Sequence, residues 1–309
     1  MGKRKRGQAV HGWLVLDKPY DMTSTQAVGK VRWLFDAQKA GHAGTLDPLA
    51  TGILPIALGD ATKTVPFIVD ASKEYVFTVQ FGAQTTTDDA EGEVIAQGDT
   101  ADLTTGAIEA LLGDYIGDVE QVPPQFSAIK VNGERAYDMA RDGEEVLLKS
   151  RIVSIDSFAL TNLDAETGQA TFHVGCGKGT YVRALARDLG KALGCFGHVC
   201  ALRRTRVGPF DEAGATDVAD IACETPAERG PDEARMAHLK PVGSALVDVP
   251  AVRVSGPEVS NLRRGRAIII RGQELHDEGE TVRAVGPGGS LIALGEVGQG
   301  QLHPRKVFA

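Results

Sequence analysis

The segment from Gly41 to Gly52 constrains this chain more than any other part of its sequence. It reads GHAGTLDPLATG, so three glycines and one proline fall within a short stretch. Glycine and proline disfavour a helix interior, and the segment lacks the alternation of a strand, so it predicts a rigid loop. Asp47 is its only acid, and the proline that follows restricts the aspartate backbone to extended conformations. A carboxylate constrained in this way is typical of a nucleophile or a base rather than of a solvated surface charge.

The length and composition are those of an ordinary globular protein. The 309 residues favour one large domain and one small one over a single core. No apolar run approaches the roughly 18–20 residues of a membrane span. The basic N-terminus is not followed by a signal-like apolar stretch with a cleavage site. We therefore expect a cytoplasmic protein with no membrane association.

The four cysteines do not form a metal or disulfide framework. No CxxC pair occurs among them, and their spacing suits neither a zinc site nor a set of disulfides. They are Cys176, Cys195, Cys200 and Cys223. We expect reduced, mostly buried thiols and no bound metal.

Charge is unevenly distributed along a chain whose net charge is −8. Residues 1–39 hold eight lysines and arginines against three acids, whereas residues 88–120 hold ten acids and no lysine or arginine. Further arginine clusters lie at 203–206 and 263–266. An acidic protein with such segregation can still present a basic face to nucleic acid, although each cluster taken singly is more often a solvated surface. The overall charge therefore decides neither for nor against an RNA partner.

Hydrophobic periodicity predicts several strands and helices along the chain. Strands are predicted at 12–19, 53–58, 73–81, 152–163 and 170–176, and helices at 23–35, 103–112 and 180–193. An exposed loop is expected at 85–92, and a linker or peripheral helix at 211–240. Short β-like runs punctuated by glycines follow residue 241 and indicate a small β-barrel. The predicted organisation is a basic flexible tail at 1–10, a catalytic domain at 11–240 and a C-terminal module at 241–309.

One glycine-rich stretch resembles a nucleotide-binding loop only superficially. Residues 175–180 read GCGKGT, which has neither the Walker spacing nor a complete G-x-G-x-x-G. The sequence also lacks a serine nucleophile elbow. These features argue against an ATPase, a dehydrogenase and a serine hydrolase.

The loop around Asp47 resembles the signature loop of the TruB family, the bacterial tRNA pseudouridine-55 synthases. Further motifs of that family occur in the family's order. They are Leu16-Asp17-Lys18-Pro19, Lys73-Glu74-Tyr75, Gly179-Thr180-Tyr181-Val182-Arg183 and Leu202-Arg203-Arg204-Thr205. The resemblance covers roughly residues 11–210, and 241–309 fit the family's PUA-like RNA-binding module. It implies a mixed α+β pseudouridine synthase fold with a largely antiparallel sheet and a central RNA-binding cleft. It also implies isomerisation of the T-loop uridine of tRNA to pseudouridine.

The resemblance assigns the catalytic role to Asp47 and supporting roles to other residues. It implies that Arg183 pairs with Asp47, which keeps the carboxylate ionised and oriented. Tyr75 corresponds to the ring that stacks on the target base, and Leu202 to an apolar side chain that packs on the uracil. We expect Tyr181 to line the same pocket. Asp47 attacks the ribose C1′, adds to the uracil ring or assists elimination to a glycal, and the sequence does not choose between these routes.

A uridine cannot react while it is stacked inside an RNA loop, so the resemblance also implies base flipping. His42, in the signature loop, corresponds to the histidine that holds the rearranged RNA. Lys18 is expected to support the loop or to contact RNA. Phosphate contacts are expected from Arg203, Arg204, Lys63 and Arg32.

The resemblance also implies which cofactors and partners the enzyme needs. The isomerisation needs no metal, nucleotide or organic cofactor, because it has no redox step and no group donor. The expected partner is tRNA, through its T-arm stem-loop, with no obligatory protein partner and a monomeric enzyme. Two alternatives stay open: a guide-RNA-dependent pseudouridine synthase, and a noncatalytic tRNA-folding or RNA-binding protein.

The chain departs from the family pattern in one turn. After Lys18-Pro19 the family usually has any residue and then glycine, whereas this chain has Tyr20-Asp21. Aspartate tolerates left-handed backbone better than most residues, so we expect the turn to survive. The acid is mildly unfavourable beside RNA.

Overall fold

The structure, a computed structural model, describes residues 7–127, 130–131, 134–135, 148–270 and 276–308. Its strands are β1 (Gly12–Lys18), β2 (Ala40–His42), β3 (Thr51–Leu58), β4 (Lys73–Phe81), β5 (Ala83–Thr85), β6 (Val94–Gln97), β7 (Gly117–Gln121), β8 (Lys130–Val131), β9 (Glu134–Arg135), β10 (Arg151–Asp164), β11 (Gln169–Cys176), β12 (Gly197–Val207), β13 (Phe210–Asp211), β14 (Leu239–Lys240), β15 (Ala251–Arg253), β16 (Ile268–Ile269), β17 (Thr281–Val285), β18 (Leu291–Gly298) and β19 (Gln301–Val307). The α-helices within the same residues are α1 (Ser24–Leu34), α2 (Val65–Asp70), α3 (Thr105–Leu112), α4 (Val182–Ala192), α5 (Glu233–Ala237) and α6 (Gly256–Arg263).

A ten-stranded sheet forms the larger part of the fold. Its main path runs β14-β1-β3-β12-β4-β11-β10-β7, with β2 paired to β3 and β13 to β12. The pairings in this sheet are antiparallel except for a short parallel contact between β3 and β12, where Arg203 and Arg204 lie opposite Thr51 and Gly52. The predicted mixed α+β class with a largely antiparallel sheet is confirmed.

The strand β4 lies near the middle of this sheet and alternates between buried and half-exposed residues along its whole length. Alternate side chains of a strand point to the same face, so Tyr75 and Phe77 both face the core. The ring of Phe77 stacks on those of Phe158 and Phe172, with centroids 6.0 and 5.4 Å apart. Burial of each such ring contributes roughly 1.5–3 kcal/mol, which explains why the aromatic strand predicted at 73–81 is central.

The strand β12 was not predicted from the sequence. It reads GHVCALRRTRV, and its arginines resemble a solvated surface cluster. Nevertheless it pairs with β4 along its length and with β3 at one point, so it lies inside the sheet. A buried strand accommodates Arg204 because backbone carbonyl groups accept hydrogen bonds from its guanidinium.

The helices α1 and α4 place residues next to the candidate site. Thr23 caps α1 in a capping box with Gln26, which sets where the helix begins. Tyr181 precedes α4, and the helix buries Arg183 in its first turn together with a stripe of apolar residues. None of the helices in the described part of the chain is long and apolar enough to span a membrane.

The segment 211–240, expected to be a linker or a peripheral helix, contains the short helix α5 and contributes residues of β13 and β14 to the larger sheet. β14 pairs with β1, and Thr216 forms a bridge to Leu16. Arg235 is buried, and its guanidinium donates to the carbonyl oxygen of Ile221 at 2.9 Å. The contacts with the sheet were not predicted, because loops rich in acid and proline carry little local signal of the contacts that they make.

The N-terminal segment is described from residue 7 onwards. Residues 1–6 of the predicted basic tail lie outside the described residues. Gln8 forms a bridge to Ala37, and Val10 is buried in the main core.

A second sheet, with the order β15-β17-β18-β19-β16, forms the C-terminal part of the chain. It has its own core, which includes Val252, Leu262, Val282 and Leu302. This five-stranded sheet fits the small β-module expected there. The domain boundary at 241 stays a prediction.

Candidate active site

Asp47 lies in the loop 43–50 that joins β2 to β3. Ser24, the first residue of α1, fixes this loop: its hydroxyl donates to the carbonyl oxygen of Leu46 at 3.0 Å and accepts from the Leu46 amide at 2.9 Å. Leu46 and Leu49 are buried beneath the loop, while the carboxylate of Asp47 is 36% exposed. The loop therefore presents its acid to solvent from a well-supported backbone.

Arg204 holds the loop from inside the protein. Its Nε donates to the carbonyl oxygen of Ile53 at 2.8 Å, and its Nη2 donates to that of Gly44 at 3.0 Å. Gly52 permits the close approach of β12, because its φ is +96° and a Cβ atom there would lie 2.2 Å from the carbonyl oxygen of Arg204. The predicted phosphate contact of Arg204 is wrong, since a side chain that is 1% exposed and bonded to carbonyl groups cannot reach RNA.

Lys18 supports the loop in a similar way. Its Nζ donates to the carbonyl oxygens of Pro19, Met22 and Pro48 at 2.9, 2.7 and 3.3 Å. Burial lowers the pKa of the ammonium to about 8, and the negative charge of Asp47 partly opposes this shift. Of the two expected roles, the structure favours loop support, and the complete burial of Lys18 rules out a direct RNA contact.

Asp21 occupies the turn position where the family pattern has glycine. Its φ is +59°, in the left-handed region, and its amide donates to the carbonyl oxygen of Pro48 at 3.0 Å. Aspartate adopts this conformation more readily than most residues. The turn therefore survives the replacement, as expected, and braces the residue that follows Asp47.

We expect Asp21→Ala to lower the free energy of unfolding by about 1 kcal/mol, because alanine bears the steric cost of a left-handed backbone. Asp21→Gly is the matched control and should be at least as stable as the parent, since glycine has no Cβ atom to clash. Chemical denaturation of the three proteins measures the difference. Equal stability of the alanine and glycine variants would contradict strain at this position.

Arg183 lies between two carboxylates. Its Nη2 is 2.9 Å from Oδ2 of Asp47, and its Nη1 is 3.2 Å from Oδ2 of Asp89. The guanidinium also donates to the carbonyl oxygens of Thr87 at 2.9 Å and Phe126 at 3.0 Å. The side chains of Arg183 and Asp89 are only 6% and 3% exposed. Because several fixed groups accept its hydrogen bonds, the guanidinium has a single orientation. In that orientation it holds Asp47 at the protein surface.

The stretch 85–92 is not the exposed loop expected from its acidity. Asp88 and Asp89 are 5% and 2% exposed, and the amide of Val199 on β12 donates to the carbonyl oxygen of Asp88 at 3.1 Å. Burial raises the pKa of Asp88, and the positive charge of Arg187 opposes the shift. The loop is therefore packed along the sheet beside Arg183, and it brings a second carboxylate to the site.

Asp89 is the site residue that sequence reasoning missed. A signal for it exists on α4, where Arg183 and Arg187 are one turn apart and therefore on the same face. Two arginines on a helix that packs against the core need buried acids as partners. Asp89 pairs with the first arginine and Asp88 with the second, the latter at 3.1 Å.

Tyr75 and Leu202 lie on the neighbouring strands β4 and β12. They are 9% and 8% exposed and belong to the same apolar cluster as Leu46 of the Asp47 loop. Burial raises the pKa of Tyr75, with a smaller contribution in the same direction from the charge of Asp47. The phenol is therefore neutral at physiological pH. Both residues share this cluster with the loop, and their contacts with a base stay predictions.

His42 ends β2, directly before the Asp47 loop. Its Nδ1 is enclosed and makes no hydrogen bond within the described residues. Burial and then the positive charge of Arg204 lower its pKa, and the nearby backbone of Gly44 opposes this only in part. The imidazole is therefore neutral at pH 7.

Tyr181 is fixed at the start of α4. Its amide donates to Oε1 of Gln121 at 2.8 Å, and its carbonyl oxygen accepts from Nε2 of the same side chain at 3.1 Å. The guanidinium carbon of Arg151 lies 4.9 Å from the centre of its ring. The ring is half-buried, and its place in the pocket stays a prediction.

Lys63 forms hydrogen bonds between the larger sheet's part of the chain and the C-terminal sheet. Its Nζ lies 2.7 Å from Oδ1 of Asp60 and donates to the carbonyl oxygen of Val307 at 2.7 Å. In return, Nζ of Lys306 donates to the carbonyl oxygen of Lys63 at 2.7 Å. This geometry assigns Lys63 to the attachment of the C-terminal sheet and gives no support to the predicted phosphate contact.

The remaining predicted phosphate contacts are Arg203 and Arg32. Arg203 lies 2.6 Å from Oδ2 of Asp17 and 2.5 Å from Oε1 of Glu212, so its charge is already balanced. Arg32 is exposed, and its Nε donates to the carbonyl oxygen of Ala37 at 3.2 Å. Both stay predictions, and Arg32 has the more accessible charge.

The arrangement determines which reactions the Asp47 carboxylate can carry out. Asp47 is an accessible carboxylate that a buried guanidinium holds in place, and its loop packs on the apolar cluster that includes Tyr75 and Leu202. A carboxylate in this setting can attack carbon or transfer a proton. The adjoining apolar surface suits a planar ring.

Comparison with known proteins defines the class. Residues 32–182 match the model of the TruB family pseudouridylate synthase N-terminal domain, and residues 183–247 match that of the tRNA pseudouridylate synthase B C-terminal domain. A chain in a crystal structure of a Cbf5-Nop10-Gar1 complex has a TM-score of 0.72 at 25% identity, covering 97% of this chain and 84% of that one. Fold and site together define a pseudouridine synthase, which is an isomerase.

Two relatives narrow the class further. The tRNA pseudouridine synthase B of Caulobacter vibrioides is 54% identical over 320 residues, which cover 100% of this chain and 99% of that protein. That of Rhizobium meliloti is 50% identical over 311 residues, covering 99% and 98%. The chain therefore belongs to the TruB family, and it is a tRNA pseudouridine synthase.

One further solved structure has the same fold. It is an H/ACA RNP bound to a substrate RNA containing 2′-deoxyuridine, and one of its chains has a TM-score of 0.74. The match covers 100% of this chain and 92% of that one at 23% identity, which supports the fold alone.

Proposed function

We propose that this enzyme converts the T-loop uridine at position 55 of tRNA to pseudouridine, with Asp47 as its catalytic residue. One observation carries the proposal: an accessible carboxylate on a braced loop is paired at 2.9 Å with the buried guanidinium of Arg183. The resemblance of this loop to the family's signature loop supports the assignment. The names of the relatives support tRNA as the substrate.

The proposed reaction rearranges bonds and protons within one nucleotide, with no net gain or loss of atoms. The bond between ribose C1′ and uracil N1 breaks, a bond between C1′ and C5 forms, C5 loses its proton and N1 gains one. Asp47 attacks C1′, adds to the uracil ring or assists elimination to a glycal. In each route the adjacent guanidinium of Arg183 holds and orients the carboxylate.

Tyr75, Leu202 and Tyr181 are proposed to hold the uracil. A neutral Tyr75 phenol can pack against the ring and donate a hydrogen bond, whereas Leu202 contributes shape and the exclusion of water. The base reaches this pocket only after it has been flipped out of the RNA. His42, which directly precedes the Asp47 loop, is proposed to hold the RNA that closes behind the flipped base.

We further propose that the enzyme acts as a monomer on tRNA in the cytoplasm, with no obligatory protein partner and no cofactor. A guide-RNA-dependent enzyme is the alternative. Sequence identity favours an enzyme that acts without a guide RNA. The chain is 54% identical to the Caulobacter tRNA pseudouridine synthase B and 25% identical to the chain of the Cbf5-Nop10-Gar1 complex.

The test is incubation of the purified protein with an unmodified tRNA transcript and with an isolated T-arm stem-loop, followed by mapping of pseudouridine. We expect one modified position, in the T-loop, in both RNAs and without any added guide RNA or protein. A transcript with cytidine at that position is the control and should stay unmodified. Modification at another position, or only in the presence of guide RNA, would overturn the proposal.

A further inference from the structure

We propose that Tyr20 is an RNA-binding residue that stacks on an unpaired base of the T-arm next to the reacting uridine. The inference deepens the proposed function and rests on it. Tyr20 is 65% exposed, the largest fraction for a large hydrophobic side chain among the described residues. An exposed aromatic ring alone indicates little, so the argument depends on where this ring is held and on the charges around it.

Tyr20 lies in a turn that is bonded to the residue after Asp47. Its neighbour Asp21 donates its amide to the carbonyl oxygen of Pro48 at 3.0 Å, and Nζ of Lys18 donates to the same oxygen at 3.3 Å. The ring thus projects from a backbone that is fixed relative to the Asp47 carboxylate. Binding through such a ring loses little conformational entropy, because the backbone is already ordered.

The charges around the turn favour contact with a base rather than with a phosphate. Asp21 and Asp47 form an acidic rim beside the ring, because Asp21 follows Tyr20 in the turn and donates its amide to the carbonyl oxygen of Pro48, the residue after Asp47. An acidic rim repels phosphate groups. An aromatic ring instead offers an uncharged π-face, on which every base can stack.

Three cations near this rim, in the part of the chain that the structure describes, are engaged within the protein. Lys18 and Arg204 are buried and bonded to carbonyl groups, and Arg183 lies between two carboxylates. These three charges are not available to RNA, which favours an uncharged contact beside Asp47. Stacking on aromatic side chains is the usual contact of that kind in single-stranded loops, and Tyr20 supplies it.

The test compares Tyr20→Ala and Tyr20→Phe with the matched control Trp33→Ala. Trp33 is also an exposed aromatic residue, at 40%, but it lies near the far end of α1, roughly 13 Å along the helix from Ser24. KM and kcat for pseudouridine formation in a T-arm stem-loop are the readouts. We expect Tyr20→Ala to raise KM roughly tenfold or more, with a smaller fall in kcat.

Tyr20→Phe and Trp33→Ala should keep KM within about twofold of the parent, because the first retains the π-face and the second lies away from the loop. The slope of log KM against log salt concentration should be unchanged in Tyr20→Ala, since no phosphate contact is lost. The unfolding temperature of Tyr20→Ala should also be unchanged, because the ring is exposed.

Several outcomes would overturn the inference. An unchanged KM in Tyr20→Ala excludes binding by this ring, and equal impairment of Tyr20→Phe assigns binding to the hydroxyl group instead. A shallower salt slope in Tyr20→Ala would indicate a lost phosphate contact, and a lowered unfolding temperature would indicate a structural role. Failure of the proposed function is recognised separately: the parent protein would then leave the T-arm unmodified, and the inference would fail with it.

Discussion

Asp47→Asn is expected to lower the rate of pseudouridine formation by about 10⁴-fold or more, the scale seen when a residue that reacts directly is removed. An amide can neither attack C1′ or the uracil ring nor accept a proton efficiently, so every proposed route is blocked. Asparagine has nearly the same shape and can still accept a hydrogen bond from Arg183. Single-turnover reactions with unmodified tRNA, quantified by pseudouridine mapping, measure the loss.

The affinity of Asp47→Asn for tRNA should remain close to that of the parent protein, because the loop is supported by backbone contacts that the substitution leaves intact. Asp21→Asn is the matched control: it removes a charge from the same rim, and asparagine also tolerates the left-handed backbone. This control should remain active. Activity of Asp47→Asn near the parent level would remove Asp47 from its catalytic role.

Arg183→Met is expected to have the second largest effect, on stability as well as on activity. The free energy of unfolding should fall by about 3–5 kcal/mol, because Asp89 would remain as a buried carboxylate without its cation. Pseudouridine formation should also be lost, since Asp47 would no longer be held by the guanidinium. Chemical denaturation and single-turnover assays measure the two effects separately.

Two further variants separate the positioning role of Arg183 from its contribution to folding. Arg183→Met combined with Asp89→Asn should recover part of the lost stability, because the buried charge is gone, and should stay inactive.

Arg187→Met, one turn further along α4, is the matched control. It leaves the buried carboxylate of Asp88 without its cation, so it carries the same kind of stability cost. It should lose stability and keep its activity at temperatures where it is folded. Equal loss of activity in the folded Arg183→Met and Arg187→Met proteins would reduce Arg183 to a structural residue.

The Asp47 loop shows how far local sequence reasoning reaches. Glycine and proline act on the backbone within one or two residues, so the loop could be predicted without knowing its neighbours. The pairing of Arg183 with Asp47 joins residues far apart in the chain, and only the family resemblance indicated it. The structure places that pair at 2.9 Å.

The errors have a common physical cause, which is that the sequence does not show the partners of a charged side chain. Arg204 looks like an RNA contact until its carbonyl acceptors are known, and for Lys18 such acceptors decide between the two expected roles. For the same reason β12 looks like a surface cluster, and the acidic stretch around Asp89 looks like a solvated loop. Lys18, Arg204 and Asp89 are buried because distant segments supply hydrogen-bond or ion-pair partners.

The sequence by itself determined the local elements: the braced loop of Asp47, the aromatic strand β4, the start of α1 and, through its motifs, the enzyme family. These follow from backbone preferences and from periodicity, which act over a few residues. Only the tertiary structure decided which charges are available to RNA and which support the loop. Burial and ion pairing depend on segments that meet in space. For this reason Asp89 is part of the site, whereas Lys18 and Arg204 are buried and not available to RNA.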